Sequence, residues 1–210
     1  MVPFPDKMAT IILMRHGRVK LAMPKRIASV EFPKWVRAYD HAGVVPEVPE
    51  ASQRTLQETS GVVCSGLTRS VVSAQICGVT PLGRESIFNE AKIPWKRIPL
   101  LRLRPKTWTS LFRFFWFLGL DNHAESFGHA RHRAKVGSAY LDKLAREKGS
   151  VALIGHGVMN RLIAWELGRL GWKEVQKSDS DHWSYGVYEY KGKKNGKTVP
   201  LPDGEGSGVH

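Results

Sequence analysis

Cysteine is scarce in this chain: two residues, Cys64 and Cys77, among 210. That excludes the disulfide framework of a small secreted domain, and the spacing does not fit a zinc site, so a reducing cytoplasm is the expected compartment. Long apolar runs are lacking too. The most apolar stretch, Leu111 to Leu120, is half of the roughly 20 residues a membrane helix needs, and Arg113 interrupts it. No transmembrane segment is expected. The start, with Pro3, Pro5 and Asp6 ahead of a short apolar run, lacks the basic opening and apolar centre of a signal peptide, so no export is expected. Acidic residues are in deficit, 19 Asp plus Glu against 32 Lys plus Arg, a formal net charge of +13. The excess points to an anionic partner: a phosphate ester, nucleic acid or an acidic membrane surface.

What is present is ordinary for a soluble globular domain, with 42% hydrophobic and 24% charged residues, and the length allows a sizeable core without disulfides or metals. Thr10 to Met14 is a short continuous apolar run, the pattern of a strand buried on both faces, and it ends in Arg15-His16-Gly17. Gly61 to Cys64 is a second such run, followed by a helical stretch from Leu67 to Ile76 with Gly78 to cap it. Ser86 to Phe88 reads as a third strand, leading to Asn89-Glu90. Glu125 to Lys148 has helical spacing and stops at Gly149. Val151 to Ile154 is a fourth apolar run, ending in Gly155-His156-Gly157, with a helix from Val158 to about Leu170. Tyr185 to Tyr190 reads as the last strand.

Strands alternating with helices predict a three-layer α/β sandwich over residues 1–190, a mainly parallel sheet with helices on both faces and ligands at the carboxyl ends of the strands. Residues 19–57 and 91–120 break the rhythm and read as lid insertions over that edge. The second of these has seven basic residues, no acidic one and an aromatic run. Residues 191–210, rich in Gly and Lys, read as a flexible tail.

Three strand ends thus deliver polar side chains to one edge: Arg15 and His16, then Arg69 one turn into a helix, then His156 between two glycines, with Glu90 after another strand. Two guanidinium groups and a second histidine could clamp a phosphoryl group through bidentate, charge-assisted hydrogen bonds. Gly17, Gly155 and Gly157 would let backbone come close. A neutral histidine is a competent phosphoryl acceptor near pH 7, and a carboxylic acid could protonate the departing oxygen. Such a site needs no metal and no cofactor.

These residues resemble the histidine phosphatase superfamily, the phosphoglycerate mutase-like proteins. Leu13-Met14-Arg15-His16-Gly17 looks like the family's Arg-His-Gly signature, and Cys64 to Ser70 looks like its Ser-Pro-Leu-x-Arg-Ala segment, with Gly66 and Ser70 in place of the proline and alanine. Ile154-Gly155-His156-Gly157 looks like its second His-Gly element, Phe88-Asn89-Glu90 lies where its acid often sits, and Glu125-Ser126-Phe127 resembles the Glu-Ser opening its long helix. The resemblance runs from about Thr10 to Tyr190 with order and spacing intact. It implies a phosphomonoesterase acting through a phosphohistidine on His16, with Arg15, Gly17, Arg69 and His156 on the phosphate, His156 also in catalysis, and Glu90 as proton donor. Asp40, Glu47 and Glu85 stand as alternatives for the acid. Val19 and Ala22 occupy positions where the mutase branch carries a hydroxyl residue and an asparagine, which weighs against a mutase.

The implied substrate is a phosphorylated small molecule. The aromatics Trp108, Phe112, Phe114, Phe115, Trp116 and Phe117 read first as the second insertion's own core. Their alternative reading is a wall for a bulky or apolar ester, or a weak membrane-surface contact beside the insertion's cations. A mutase-type phosphoryl transferase and a non-catalytic phosphate- or nucleic-acid-binding module are the rival functions, though no stable nucleic-acid complex is expected. Arg18 could steer anions or be a plain surface residue. His123, His129 and His132 with Glu125 read as solvated residues rather than a metal cluster, and Cys64 as core. Oligomeric state is not readable from the sequence.

Overall fold

Four apolar residues in succession make the centre of Thr10–Arg15 (β1) equally at home on either face of a sheet, and all four are buried. The computed structural model describes residues 9–121 and 124–192. In it β1 pairs parallel with Ser150–Gly155 (β6) and antiparallel with Tyr185–Tyr190 (β8). Val62–Ser65 (β3) lies parallel to β6 and to Gly83–Glu85 (β4), while Trp172–Gln176 (β7) closes the other edge antiparallel to β8. The six-stranded order is β4-β3-β6-β1-β8-β7.

Strand alternation divides the core in two. On one face Ile11, Leu13 and Leu153 pack on Ala134 and Leu141 of Phe127–Lys148 (α5) and Ile163 and Leu167 of Gly157–Leu170 (α6). On the other, Ile12, Met14, Cys64 and Ile154 meet Leu56 of Glu50–Glu58 (α2) and Ala74 of Thr68–Ile76 (α3). This is the α/β sandwich that the resemblance to the histidine phosphatase superfamily implied.

The two irregular segments join each other. Ile27–Ala28 (β2) pairs with Arg102–Leu103 (β5), and Phe32 of Phe32–His41 (α1) packs with Trp108 and Phe112 of Pro105–Phe117 (α4). The Trp108 indole donates to the Ile27 carbonyl at 2.9 Å, which satisfies the one polar atom of a wholly buried side chain. Trp108, Phe112 and Trp116 are buried, whereas Phe114 and Phe117 are exposed.

One sequence expectation is corrected and one strand was missed. Ser86–Phe88 is a single 3-10 turn rather than a strand, and the ladder is made by the preceding Gly83–Glu85. Phe88 drops fully into the α5 core, a contact that takes the chain out of line with the sheet. Strand β7 went unseen because an edge strand exposed at four of its five residues carries no alternation to read. Residues 193–210, most of the expected tail, lie outside the described residues.

Candidate functional site

β1, β3 and β6 run parallel, so their carboxyl ends lie side by side and the segments that leave them meet. His16 leaves β1, Ser65 ends β3 with Arg69 in the first turn of α3, and His156 caps α6 after β6.

His16 is buried, and its Nδ1 lies 2.8 Å from the Gly17 carbonyl. A carbonyl can only accept, so the ring proton sits on Nδ1 and the Nε2 lone pair is left to accept the Arg69 Nε–H at 3.2 Å. Burial, and then the positive charge of Arg69, hold the ring's pKa well below its ordinary 6.5. His16 is therefore neutral at pH 7 with a lone pair on Nε2, the form a nucleophile requires.

His156 is equally buried, its ring centred 5.1 Å from that of His16, and burial followed by Arg69 depresses its pKa also. Its Nε2 lies 2.7 Å from the Ser65 hydroxyl, whose oxygen already accepts the Leu67 N–H. A hydroxyl donating to Nε2 puts the ring proton on Nδ1, and that Nδ1 is a buried atom with no hydrogen-bond partner. The Nε of Arg15 is in the same condition, although Arg15 is anchored by donating Nη1 to the Ser180 carbonyl. Buried polar groups are nearly always satisfied, so these two orphaned donors, on residues adjoining His16 in sequence and in space, leave room for an anion to complete them.

Two glycines are required by close approach. A Cβ on Gly155 would lie 2.1 Å from Oδ1 of Asn160, the residue that accepts the His156 N–H and donates to the Met14 carbonyl. A Cβ on Gly17 would lie 2.4 Å from the Trp183 ring.

Arg69 is nearly wholly buried and forks between His16 and Asp40, whose Oδ1 takes Nη1 at 2.6 Å. Tyr39, beside Asp40 on α1, lies under the same guanidinium at 5.3 Å. Glu90 lies at the same edge, at the start of α6: its carboxylate accepts the N–H groups of Val158 and Met159 at 3.1 Å each, and that of Ala91. Both oxygens are thus engaged by main chain, holding the helix that begins beside His156. Of the other carboxylates, Glu47 pairs with exposed Arg18 at 2.8 Å and Glu85 ends the edge strand β4.

Sequence reasoning missed a third histidine. His182 donates from Nδ1 to the His16 carbonyl at 3.1 Å, and its ring lies 5.2 Å from that of His16. Its segment is stitched to β1 by Arg15 N–H to Ser184 O and Trp183 N–H to Arg15 O. Only β8 lying next to β1 brings it there, and no local pattern announces that. A cavity of about 520 Å³ opens between α6 and this segment, lined by Arg15, Asn160, Arg161, Trp165 and Ser180.

Glu125 is gripped by Arg133 at 2.6 and 2.7 Å, with His129 against it at 3.1 Å. Among the described residues no three His, Cys, Asp or Glu gather as a metal site, and His123 lies outside them. The Cys64 thiol is pushed up to about 11 by burial.

Two histidines held neutral by burial tie stability to pH. Below 6.5 the unfolded chain takes up protons that folded His16 and His156 refuse, so stability falls as pH drops from 6.5 toward their depressed folded values and is level above 6.5. Each contributes about 1.4 kcal/mol per pH unit in that window. Thermal unfolding at pH 5.5 should come on the order of 5–10 °C below that at pH 7.5, and His156→Gln should shrink the difference without abolishing it.

Solved structures share this fold at low identity. The protein of open reading frame Rv3214 from Mycobacterium tuberculosis superposes with a TM-score of 0.59 at 15% identity, over 88% of this chain and 94% of that one. The alpha-ribazole phosphatase of Shigella flexneri gives 0.52 at 13% identity, over 91% and 98%. Thermus thermophilus TTHB049 gives 0.51 at 17%, over 88% and 95%. No family model and no curated protein sequence matches the chain.

Proposed function

We propose that this chain is a phosphomonoesterase that works through a phosphohistidine on His16. The observation that carries the reading is the neutral His16 imidazole with its Nε2 lone pair against Arg69, beside two buried donors, Arg15 Nε and His156 Nδ1, that have no partner. In the first step Nε2 bonds to phosphorus, the ester P–O bond breaks and the departing oxygen takes a proton. Water then attacks the phosphohistidine, releasing phosphate and restoring His16. Arg69 passes from His16 to a phosphoryl oxygen as the ester arrives, and Arg15 and His156 donate to the others. Phosphoryl transfer asks mostly for positioning and charge stabilisation, which these groups supply. The scheme uses no metal. That one structural neighbour is a phosphatase agrees with the reading.

A phosphate ester labelled on phosphorus tests it. An acid quench should yield unlabelled protein, an alkaline quench protein-bound label, since phosphohistidine is acid-labile, and EDTA should leave turnover unchanged. Label that survives acid and resists base would exclude a histidine adduct.

The proton donor has two candidates. Glu90 follows from the resemblance; Asp40 is the alternative by position, its carboxylate held on the Arg69 that also reaches His16. Loss of the true acid should slow alkyl phosphates by about 10²–10⁴ while sparing p-nitrophenyl phosphate, whose leaving group needs no proton. Comparing Glu90→Gln with Asp40→Asn on both substrates assigns the role.

A further inference from the structure

The helix α4 carries large apolar side chains to its exposed surface in a segment without a single acidic residue. Lys106, Ser110, Phe114 and Phe117 recur at four, four and three residues, one stripe along the helix, and all are exposed. At its carboxyl end Phe114, Phe117, Leu118 and Leu120 are 57%, 53%, 62% and 60% exposed. Their neighbours Trp108, Phe112 and Trp116 fill the helix's buried side, while of the exposed set Phe117 keeps edge contacts with Trp116 and Phe127 and still leaves half its surface open.

Charge says what kind of partner fits. Between Ala91 and Leu120 the basic residues are Lys92, Lys96, Arg97, Arg102, Arg104, Lys106 and Arg113; all but Arg113 are exposed. Arg104 and Lys106 flank the start of α4, where the helix dipole disfavours positive charge and the first turn holds no acidic residue; of the segment's cations Arg102 pairs with Glu31 at 3.3 Å. A second copy of this chain would bring two such cationic segments together, which repels. Single-stranded nucleic acid would use aromatic faces, but Leu118 and Leu120 offer none. Cations flanking a small set of exposed Phe and Leu match the boundary between anionic headgroups and acyl chains.

We propose that α4 and the basic segment before it dock this protein on the surface of an anionic phospholipid bilayer, with Phe114, Phe117, Leu118 and Leu120 entering the headgroup boundary and the cations lying against the lipid phosphates. This is attachment to a surface, not insertion across it: no helix among the described residues is long and apolar enough to cross a membrane.

Co-sedimentation of the full chain with vesicles tests the proposal independently of catalysis. Vesicles of phosphatidylcholine with about 30 mol% phosphatidylserine should bind the protein, and pure phosphatidylcholine should bind it at least about tenfold more weakly. Raising salt to about 0.5 M should release it. Phe114→Ser with Phe117→Ser should weaken binding at least about tenfold while p-nitrophenyl phosphate hydrolysis stays at the parent level, because both side chains are exposed and outside the site. Arg104→Gln should weaken it about fivefold. No binding to either vesicle, equal binding to both, or binding untouched by the paired serine variant overturns the proposal. Tighter capture of a single-stranded oligonucleotide, lost with the same two phenylalanines, overturns it in favour of a nucleic-acid surface. Failure of the phosphatase reading would leave these outcomes unchanged.

Discussion

His16→Ala should lower kcat for p-nitrophenyl phosphate by at least about 10³, because the step it removes is the formation of the covalent intermediate itself. The geometry admits no substitute. His156 shares the edge, but its Nε2 is spent on Ser65 and its proton sits on Nδ1, so it offers no lone pair to phosphorus. His182 has its Nδ1–H on the His16 carbonyl, and its ring centre lies 5.2 Å from that of His16. Circular dichroism should show the parent fold, since His16 bonds to its own turn and to Arg69 rather than bridging core elements. Turnover near the parent level in a folded His16→Ala protein would exclude the mechanism, and retained phosphate binding without turnover is the expected residue of the site.

The second large effect belongs to Arg69. One guanidinium here donates from Nε to His16 and from Nη1 to Asp40, two directions that the single ammonium of lysine cannot serve together. Arg69→Lys should therefore cost about 10²–10³ in kcat/KM although the charge is kept, the usual scale for losing one preorganised donor to a transition-state oxygen. Arg69→Met adds a change in pH dependence whose sign follows from His16. Arg69 is the second cause, after burial, that depresses the His16 pKa. Removing the cation lets that pKa rise toward 6.5, and protonation blocks the Nε2 lone pair. The acid limb of the pH–kcat/KM profile should thus move to higher pH in Arg69→Met. An unmoved limb would mean that the group titrating there is not His16.

Much of the candidate site was legible because it is written where strands stop. Apolar runs ending in Arg15-His16-Gly17, Ser65-Gly66 and Gly155-His156-Gly157 state both that a strand is buried and that polar groups follow it. Parallel β1, β3 and β6 then leave little freedom about where those groups meet. Glu90 shows the limit. Its place after a strand-like patch suggested an acid at the same edge; the patch is a 3-10 turn, yet the carboxylate that follows it does reach that edge, where the first N–H groups of α6 take it up, a contact no local pattern announces.

What the sequence by itself determined is the set of buried runs, their α/β alternation, the histidine–arginine constellation and the basic, acid-free insertion, all of them properties of neighbours along the chain. Only the tertiary structure decided the rest. It brought His182 and Trp183 against His16 and Gly17 by laying β8 antiparallel to β1, and set Asp40 on Arg69 across 29 positions of sequence. It also sorted the aromatics of α4 into a buried half and an exposed half. Each of these depends on which surfaces remain uncovered after the sheet and its helices have packed. Local periodicity encodes which face of a segment is apolar, but not what will come to lie against it.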